Sequence, residues 1–390
     1  MDFAALIDPI AVPAFLAERR GKAPIHLADR TPDLSGIMSW PILTDLLNMT
    51  GIWSAASLQL ALDTRPVPPE AYCRTAVGRD GGQVLQPDAA RVKQFLRRGA
   101  SLVVNDIDSL TPGLRALAGA MERALGGKVQ ANLYCSWAGH QAFDSHFDTH
   151  EVYALHVAGE KRWRVYEGRV AWPIAHPTYK TLDQAYHART RGAVLMEPTL
   201  RPGDLLYLPR GQYHDALAAS PGTIHIAFGV TYPIGLDVAQ LLLDYALRDP
   251  ALRMDLPAAE AGAAALAERA AAVADALAGA ARAPEFLAGL DRFRAAFHYD
   301  RGGFDLPADA AARYSPRPGL SIRAERDRAV LAGPSGAAPI PPGLEDMVGW
   351  VLGQSAFTEA GLSAAFPDRP AADIKRFLGD MQKMRVVEPA

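Results

Sequence analysis

The chain has 390 residues, 49% hydrophobic and 21% charged, an ordinary globular composition that excludes wholesale disorder and suffices for two or three packed units. Its formal charge of −3 gives no electrostatic reason to expect a nucleic-acid or anionic-membrane partner. Cys73 and Cys135 alone cannot build a disulfide framework, no apolar run reaches the ~20 residues that cross a bilayer, and Met1-Asp2-Phe3 lacks the basic start of a signal peptide, so a soluble cytoplasmic protein is expected.

In chain order, Pro13 to Arg20 predicts a short amphipathic helix with proline in its first turn, stopped at Gly21. Ile25 to Leu27 reads as a strand, and Pro41 to Asn48 and Ser54 to Leu62 as helices. Ser101 to Asp106 is a β-branched strand, and Leu114 to Leu125 a helix stopped at Gly126-Gly127. From Val129 to about Pro233 the texture becomes short strands: Asn132 to Cys135, Val152 to Val157, Arg162 to Tyr166, Leu205 to Leu208 and Thr223 to Thr231. Turns such as Ala158-Gly159-Glu160 and Pro202-Gly203-Asp204 separate them. Many short strands with regular turns predict a sandwich or jelly roll.

Helices follow at Leu236 to Leu247 and Ala258 to Ala283, the second rich in alanine and ended or kinked by Pro284. Its stripe of Leu266, Val273 and Leu277 suits association between subunits. From about Leu306, strands at Gly319 to Arg323 and Ala329 to Ala332 precede helices at Leu344 to Leu352, Glu359 to Phe366 and Ala372 to Met384, a winged-helix-like arrangement. Positions 341–390 hold seven acidic and five basic residues. The basic face of a nucleic-acid reader is missing, so protein contact is expected and direct DNA binding is not.

The chemistry concentrates at His146, Asp148 and His214. Alternate residues of a strand share a face, so His146 and Asp148 can grip one ion. The third ligand comes from a distant strand, and His214 ends an apparent strand at a turn. Two imidazoles and a carboxylate on one face, with other positions open, make the ligand set of non-haem Fe(II) oxygenases. The alternatives are a mononuclear zinc hydrolase and unrelated packing of the three side chains.

The stretch Asn132 to Tyr166 resembles the JmjC-type ribosomal oxygenases of the cupin superfamily. The pieces are Asn132-Leu133-Tyr134, Ala138-Gly139-His140-Gln141-Ala142-Phe143, His146-Phe147-Asp148, Gly159-Glu160-Lys161-Arg162-Trp163-Arg164-Val165-Tyr166, and Gly203-Asp204-Leu205-Leu206-Tyr207-Leu208-Pro209-Arg210-Gly211 before His214. The resemblance implies an α+β chain: a double-stranded β-helix core with its N-terminal extension (1–235), a helical dimerisation region (236–303) and a winged-helix-like domain (304–390). It also implies an Fe(II)- and 2-oxoglutarate-dependent dioxygenase using O₂ to hydroxylate a histidine or arginine of a ribosomal protein, and a homodimer. Trp137, His140, Ala142 and Ser145 depart from the family's usual residues near the substrate entrance. Hydroxylation of a small molecule or peptide, N-demethylation, and a non-catalytic cupin that binds a partner are the other readings.

Lys161 stands where the resemblance places a cation for the far carboxylate of 2-oxoglutarate; a solvated lysine is the alternative. Asn132 matches an asparagine facing the cosubstrate pocket, or else it holds a strand end. Tyr134 shares its face and lines the substrate cleft or the core, with Gln141 a weaker candidate of the same kind. His225 is a further candidate for orienting the cosubstrate or a ligand. His150 and His156 are read as packed histidines, Trp163 and Tyr166 as core, Asp204 as a turn residue, and both cysteines as buried and inert.

Overall fold

The computed structural model describes residues 1–77, 81–137, 139, 142–302, 312–325, 328–333 and 336–389. The chain divides into two compact units, Met1–Arg301 and Gly302–Ala390. In the first, an eight-stranded sheet runs in the order Ile25–Leu27, Leu205–Leu208, Glu151–Ala158, Thr223–Thr231, Lys128–Ser136, Ser101–Val104, Leu58–Leu62, Arg65–Pro66. A second sheet centres on Lys161–Arg169, flanked by Gln212–Ala218 on one side and by Val194–Met196 and Thr199–Leu200 on the other. From Glu151 onward the chain alternates between the two sheets: Glu151–Ala158 in the first, Lys161–Arg169 in the second, Leu205–Leu208 in the first, Gln212–Ala218 in the second, Thr223–Thr231 in the first. This antiparallel zigzag is the expected jelly-roll, or double-stranded β-helix, core.

Period-two burial explains the layers. On Lys128–Ser136 the odd residues Val129, Ala131, Leu133 and Cys135 join a large core with Leu117 and Met121 of the helix Pro112–Leu125. That helix is capped by Thr111, which accepts from Leu114 N, and closed by left-handed Gly126. On Thr223–Thr231 the even residues Ile224, Ile226, Phe228 and Val230 face the same core. Between the sheets, Val152, Ala154, Trp163, Val165, Leu200, Leu206 and Leu208 make a smaller apolar cluster. A cavity of about 290 Å³ lies beside it, shared by the inward residues of both sheets.

Three expectations change. Ser54 to Leu62 is not a helix: Leu58–Leu62 is a strand paired with Ser101–Val104, with Leu58 and Leu60 buried on either side of exposed Gln59. The alternation of leucines at 58, 60 and 62 is the period-two signal that outweighs the alanines before it. His214 does not end the Leu205–Leu208 strand. Pro209 and Gly211 break that strand, and His214 sits within a separate one, Gln212–Ala218, in the other sheet. The alanine-rich helix runs Gly262–Arg282, and Pro284, besides ending it, starts a further helix, Pro284–Ala295, from its first turn. No residue of Gly262–Arg282 is fully buried; of its apolar stripe, Val273 and Leu277 are half-buried and Leu266 is exposed.

The second unit pairs Arg313–Pro316 with Phe357–Thr358 and Val387–Pro389, and carries a second sheet of Ser321–Glu325, Arg328–Gly333 and Gly336–Pro339. Helices Glu345–Leu352, Glu359–Ala365 and Ala371–Lys383 close its core through Val351, Leu362, Ile374 and Phe377. Among the described residues no helix is long and apolar enough to cross a membrane.

Candidate active site

His146 and His214 meet across an isolated antiparallel bridge, each backbone N–H donating to the other's carbonyl at 3.1 and 2.9 Å. Their rings lie 4.6 Å apart between centroids. Two residues on, the Asp148 carbonyl accepts from Gly211 N at 2.9 Å, and its carboxylate stands 3.6 Å from His214 Nε2. One nitrogen or oxygen from each of the three side chains lies within 4.8 Å of the others.

The donor set suits a divalent ion. His146 Nδ1 lies 2.8 Å from the Asp144 carbonyl and His214 Nδ1 3.0 Å from the Gln212 carbonyl, so each ring donates its Nδ1–H to the backbone and keeps Nε2 bare. His214 is buried, and burial with His146 nearby pushes its pKa down to about 4, so its imidazole is neutral and able to ligate at pH 7. Burial raises the Asp148 carboxyl, but the neighbouring imidazoles of His150, His146 and His214 more than offset this and hold it below its usual value. Two imidazole nitrogens and one carboxylate on one side leave the cavity side for exogenous ligands.

That cavity is lined by Tyr134, Phe143, His146, Asp148, Lys161, Trp163, His214 and His225, among others. Lys161 opens the strand that follows the tight turn at Gly159 (φ +71°), where an added Cβ would sit 2.1 Å from the Gly222 carbonyl. It is 3% exposed, and its Nζ is 3.4 Å from both Ser136 Oγ and His225 Nδ1. No carboxylate is among these partners. Burial pushes the ammonium pKa down to about 8. A buried cation with only neutral partners is a receptor for an anion. His225 is buried and held well below the usual histidine value by burial and by Lys161, so it accepts from the ammonium through Nδ1. It stacks on Tyr134 with centroids 4.8 Å apart and meets Trp163 edge-on at 5.3 Å.

Other candidates fall as follows. Tyr134 lines the cavity, and burial raises its hydroxyl pKa above the ordinary value. Asn132 does not line it; its side chain accepts from Asp106 N at 3.1 Å and hydrogen-bonds Tyr134. Gln141 and His140 lie outside the described residues. His156 is buried with Nε2 on the Gly159 carbonyl at 2.9 Å, and Asp204 caps its turn by accepting from Arg201 N. Both cysteines are buried, and burial pushes the Cys135 thiol up to about 12. Sequence reasoning passed over Ser136 and placed Trp163 in the core alone. Strand alternation marks both, since Ser136 follows Tyr134 and Trp163 follows Lys161 by two.

A profile of the JmjC domain matches residues 109–238. Among similar proteins, the bifunctional lysine-specific demethylase and histidyl-hydroxylase NO66 of Drosophila erecta is 26% identical over 58% of this chain and 33% of its own length. Ribosomal oxygenase 2 of Rattus norvegicus is 29% identical over 65% of this chain and 54% of its own. The chain thus spans between about a third and about half the length of these two relatives. The Escherichia coli ribosomal oxygenase YcfD in complex with cobalt and 2-oxoglutarate matches in fold, with a TM-score of 0.50 and 16% identity over 97% of this chain and 98% of that one. The region that brings His146, Asp148 and His214 together thus lies within the stretch that matches a JmjC domain, and it is built as a double-stranded β-helix.

Proposed function

We propose that this chain is an Fe(II)- and 2-oxoglutarate-dependent dioxygenase that hydroxylates a protein side chain, histidine or arginine of a ribosomal protein. One observation carries this reading: three facially arranged ligands and a buried lysine with no carboxylate partner among the described residues open into the same cavity. His146, Asp148 and His214 hold the ion. Lys161, kept in place by Ser136 and His225, binds the distal carboxylate of 2-oxoglutarate. Trp163 and the Tyr134–His225 stack wall the cavity and exclude water, and Asn132 steadies Tyr134 at the strand that faces the substrate. Gln141 contributes to the substrate entrance. When bound, iron, 2-oxoglutarate and O₂ supply the oxidising equivalents that turn a C–H bond into C–OH, with succinate and CO₂ as co-products; the protein's part is placement.

The substrate class is supported by the names of the relatives, two of which are a histidyl-hydroxylase and a ribosomal oxygenase. Residues 236–303 form the dimerisation region of a homodimer. Leu236, Leu243, Leu266 and Leu287, all large and exposed, supply the apolar contact. The winged-helix-like unit contacts protein, and the enzyme works in the cytoplasm. Purified protein with Fe(II) and 2-oxoglutarate should release succinate, and intact ribosomes treated with it should gain one oxygen on a single ribosomal protein by mass spectrometry. Absence of metal-dependent succinate would overturn the oxygenase; succinate release with ribosomes left unmodified would overturn the substrate.

A further inference from the structure

The face of the second sheet turned away from the cavity carries a polar chain that links the two halves of the ligand set. Asp215, next to His214, is 3% exposed and accepts from Tyr166 Oη at 2.5 Å and from Arg164 Nε at 2.9 Å. The Arg191 guanidinium lies over the Tyr166 ring, 4.8 Å from its centroid. Its Nη1 donates to Tyr166 Oη at 3.3 Å and to Ser145 Oγ at 2.7 Å. Ser145 is 7% exposed and immediately precedes His146. The arginine is itself fixed at the backbone. Gly168 N donates to its carbonyl at 2.7 Å, and Arg191 N donates to the His187 carbonyl at 3.0 Å.

What this chain holds is the peptide between Asp144 and Ser145. The carbonyl of that peptide accepts from His146 Nδ1 at 2.8 Å, and so sets both the tautomer and the tilt of the first ligand. Downstream, the ligand segment is already secured by the bridge to His214, by the Asp148 carbonyl on Gly211 N, and by buried Phe147 against Tyr213. On the upstream side, Phe143 packs edge-on against Tyr134, and Ser145 gives the hydrogen-bonded attachment next to the ligand. Resting on the metal-binding reading above, we propose that Arg191 is a positioning residue for the metal centre: by holding Ser145 it fixes the Asp144 carbonyl that orients His146. Arg191 is neither one of the three ligands nor part of the cavity lining, and it lies 46 residues beyond Ser145 in sequence.

The test is Mn(II) binding to the full chain, read from the free-ion signal in electron paramagnetic resonance, with folding followed by circular dichroism. Arg191→Met keeps a stem to cover Tyr166 and removes the donors; Ser145→Ala removes one oxygen. Each should weaken Mn(II) binding about tenfold, the low end of what loss of a ligand's supporting hydrogen bond costs. The double variant should bind no more weakly than the worse single, because both changes break one contact. Folded single variants that bind Mn(II) as the wild type does, or losses that multiply in the double, would overturn the proposal. Should Arg191→Met fail to fold, Ser145→Ala decides alone: tenfold weaker binding supports the link and unchanged binding removes it. Wild-type protein that binds no Mn(II) would instead overturn the oxygenase reading.

Discussion

At the scale of the residue, Lys161 is the most exposed to experiment, because its chemistry differs from that of the metal ligands around it. Losing one charge-assisted contact costs about 1.5–3 kcal/mol, more than tenfold in affinity. Lys161→Ala should therefore raise the 2-oxoglutarate requirement by more than tenfold while Mn(II) binding survives. An unchanged requirement in a steady-state titration removes the lysine from the site. The pH dependence has a definite sign. The free ammonium is held at about 8, so a dicarboxylate meets a cation below that pH and a neutral amine above it. Cosubstrate affinity should fall as pH rises through 8 in wild type, and this limb should vanish in the alanine variant. The HxD pair and His214 were legible in the sequence because strand geometry and ligand chemistry both constrain them. The environment of Lys161 was legible only in part: its neighbours Ser136 and His225 come from two other strands, whose pairing is a tertiary fact. Arg191 was beyond reach, since nothing local relates it to Ser145.

At the scale of the element, local rules worked for some strands and failed for others. The strands at Val152, Leu205 and Thr223 follow from short runs of strand-forming residues set between turns. Ser54 to Leu62 reads as helix, yet Leu58–Leu62 is a strand. The hairpin Cys73–Val77 with Gln83–Pro87 and the helix Ala89–Arg97 went unseen; the helix has only one buried residue, Val92, so its apolar signal is faint. Close approach of backbones is another thing composition does not reveal. Gly168, on the strand that carries Lys161, lies so near the 190–191 segment that an added Cβ would be 2.1 Å from the Thr190 carbonyl. Gly168→Ala should cost roughly 1–3 kcal/mol in denaturant unfolding, as overpacking does, and should weaken Mn(II) binding by shifting Arg191. A variant as stable as wild type would show that the segment yields freely.

For the molecule as a whole, acid sensitivity and association are the properties to measure. His156 is fully buried, and burial pushes its pKa down from 6.5 to about 4. The unfolded chain takes up this proton below 6.5, whereas the folded chain refuses it until about 4. The stabilisation is complete above pH 6.5 and is lost through that window, on the order of 3 kcal/mol for this one group. His214, also held at about 4, adds to the same limb. Stability from urea titration should decline between pH 6.5 and 4, and His156→Gln should show a shallower slope; an equal slope would place the effect elsewhere. Association follows from the uncovered leucines. In the proposed dimer, Leu243→Glu should give monomer in sedimentation velocity, with Mn(II) affinity preserved, because the site lies in the β core and Leu243 on the helix Gly235–Ala246. The reciprocal pair of backbone hydrogen bonds between His146 and His214 has a consequence for how the ligands can move. The two ligand backbones cannot separate unless both links break, so the rings part only by turning about their own side-chain torsions, a motion that the Nδ1 contacts to the Asp144 and Gln212 carbonyls oppose.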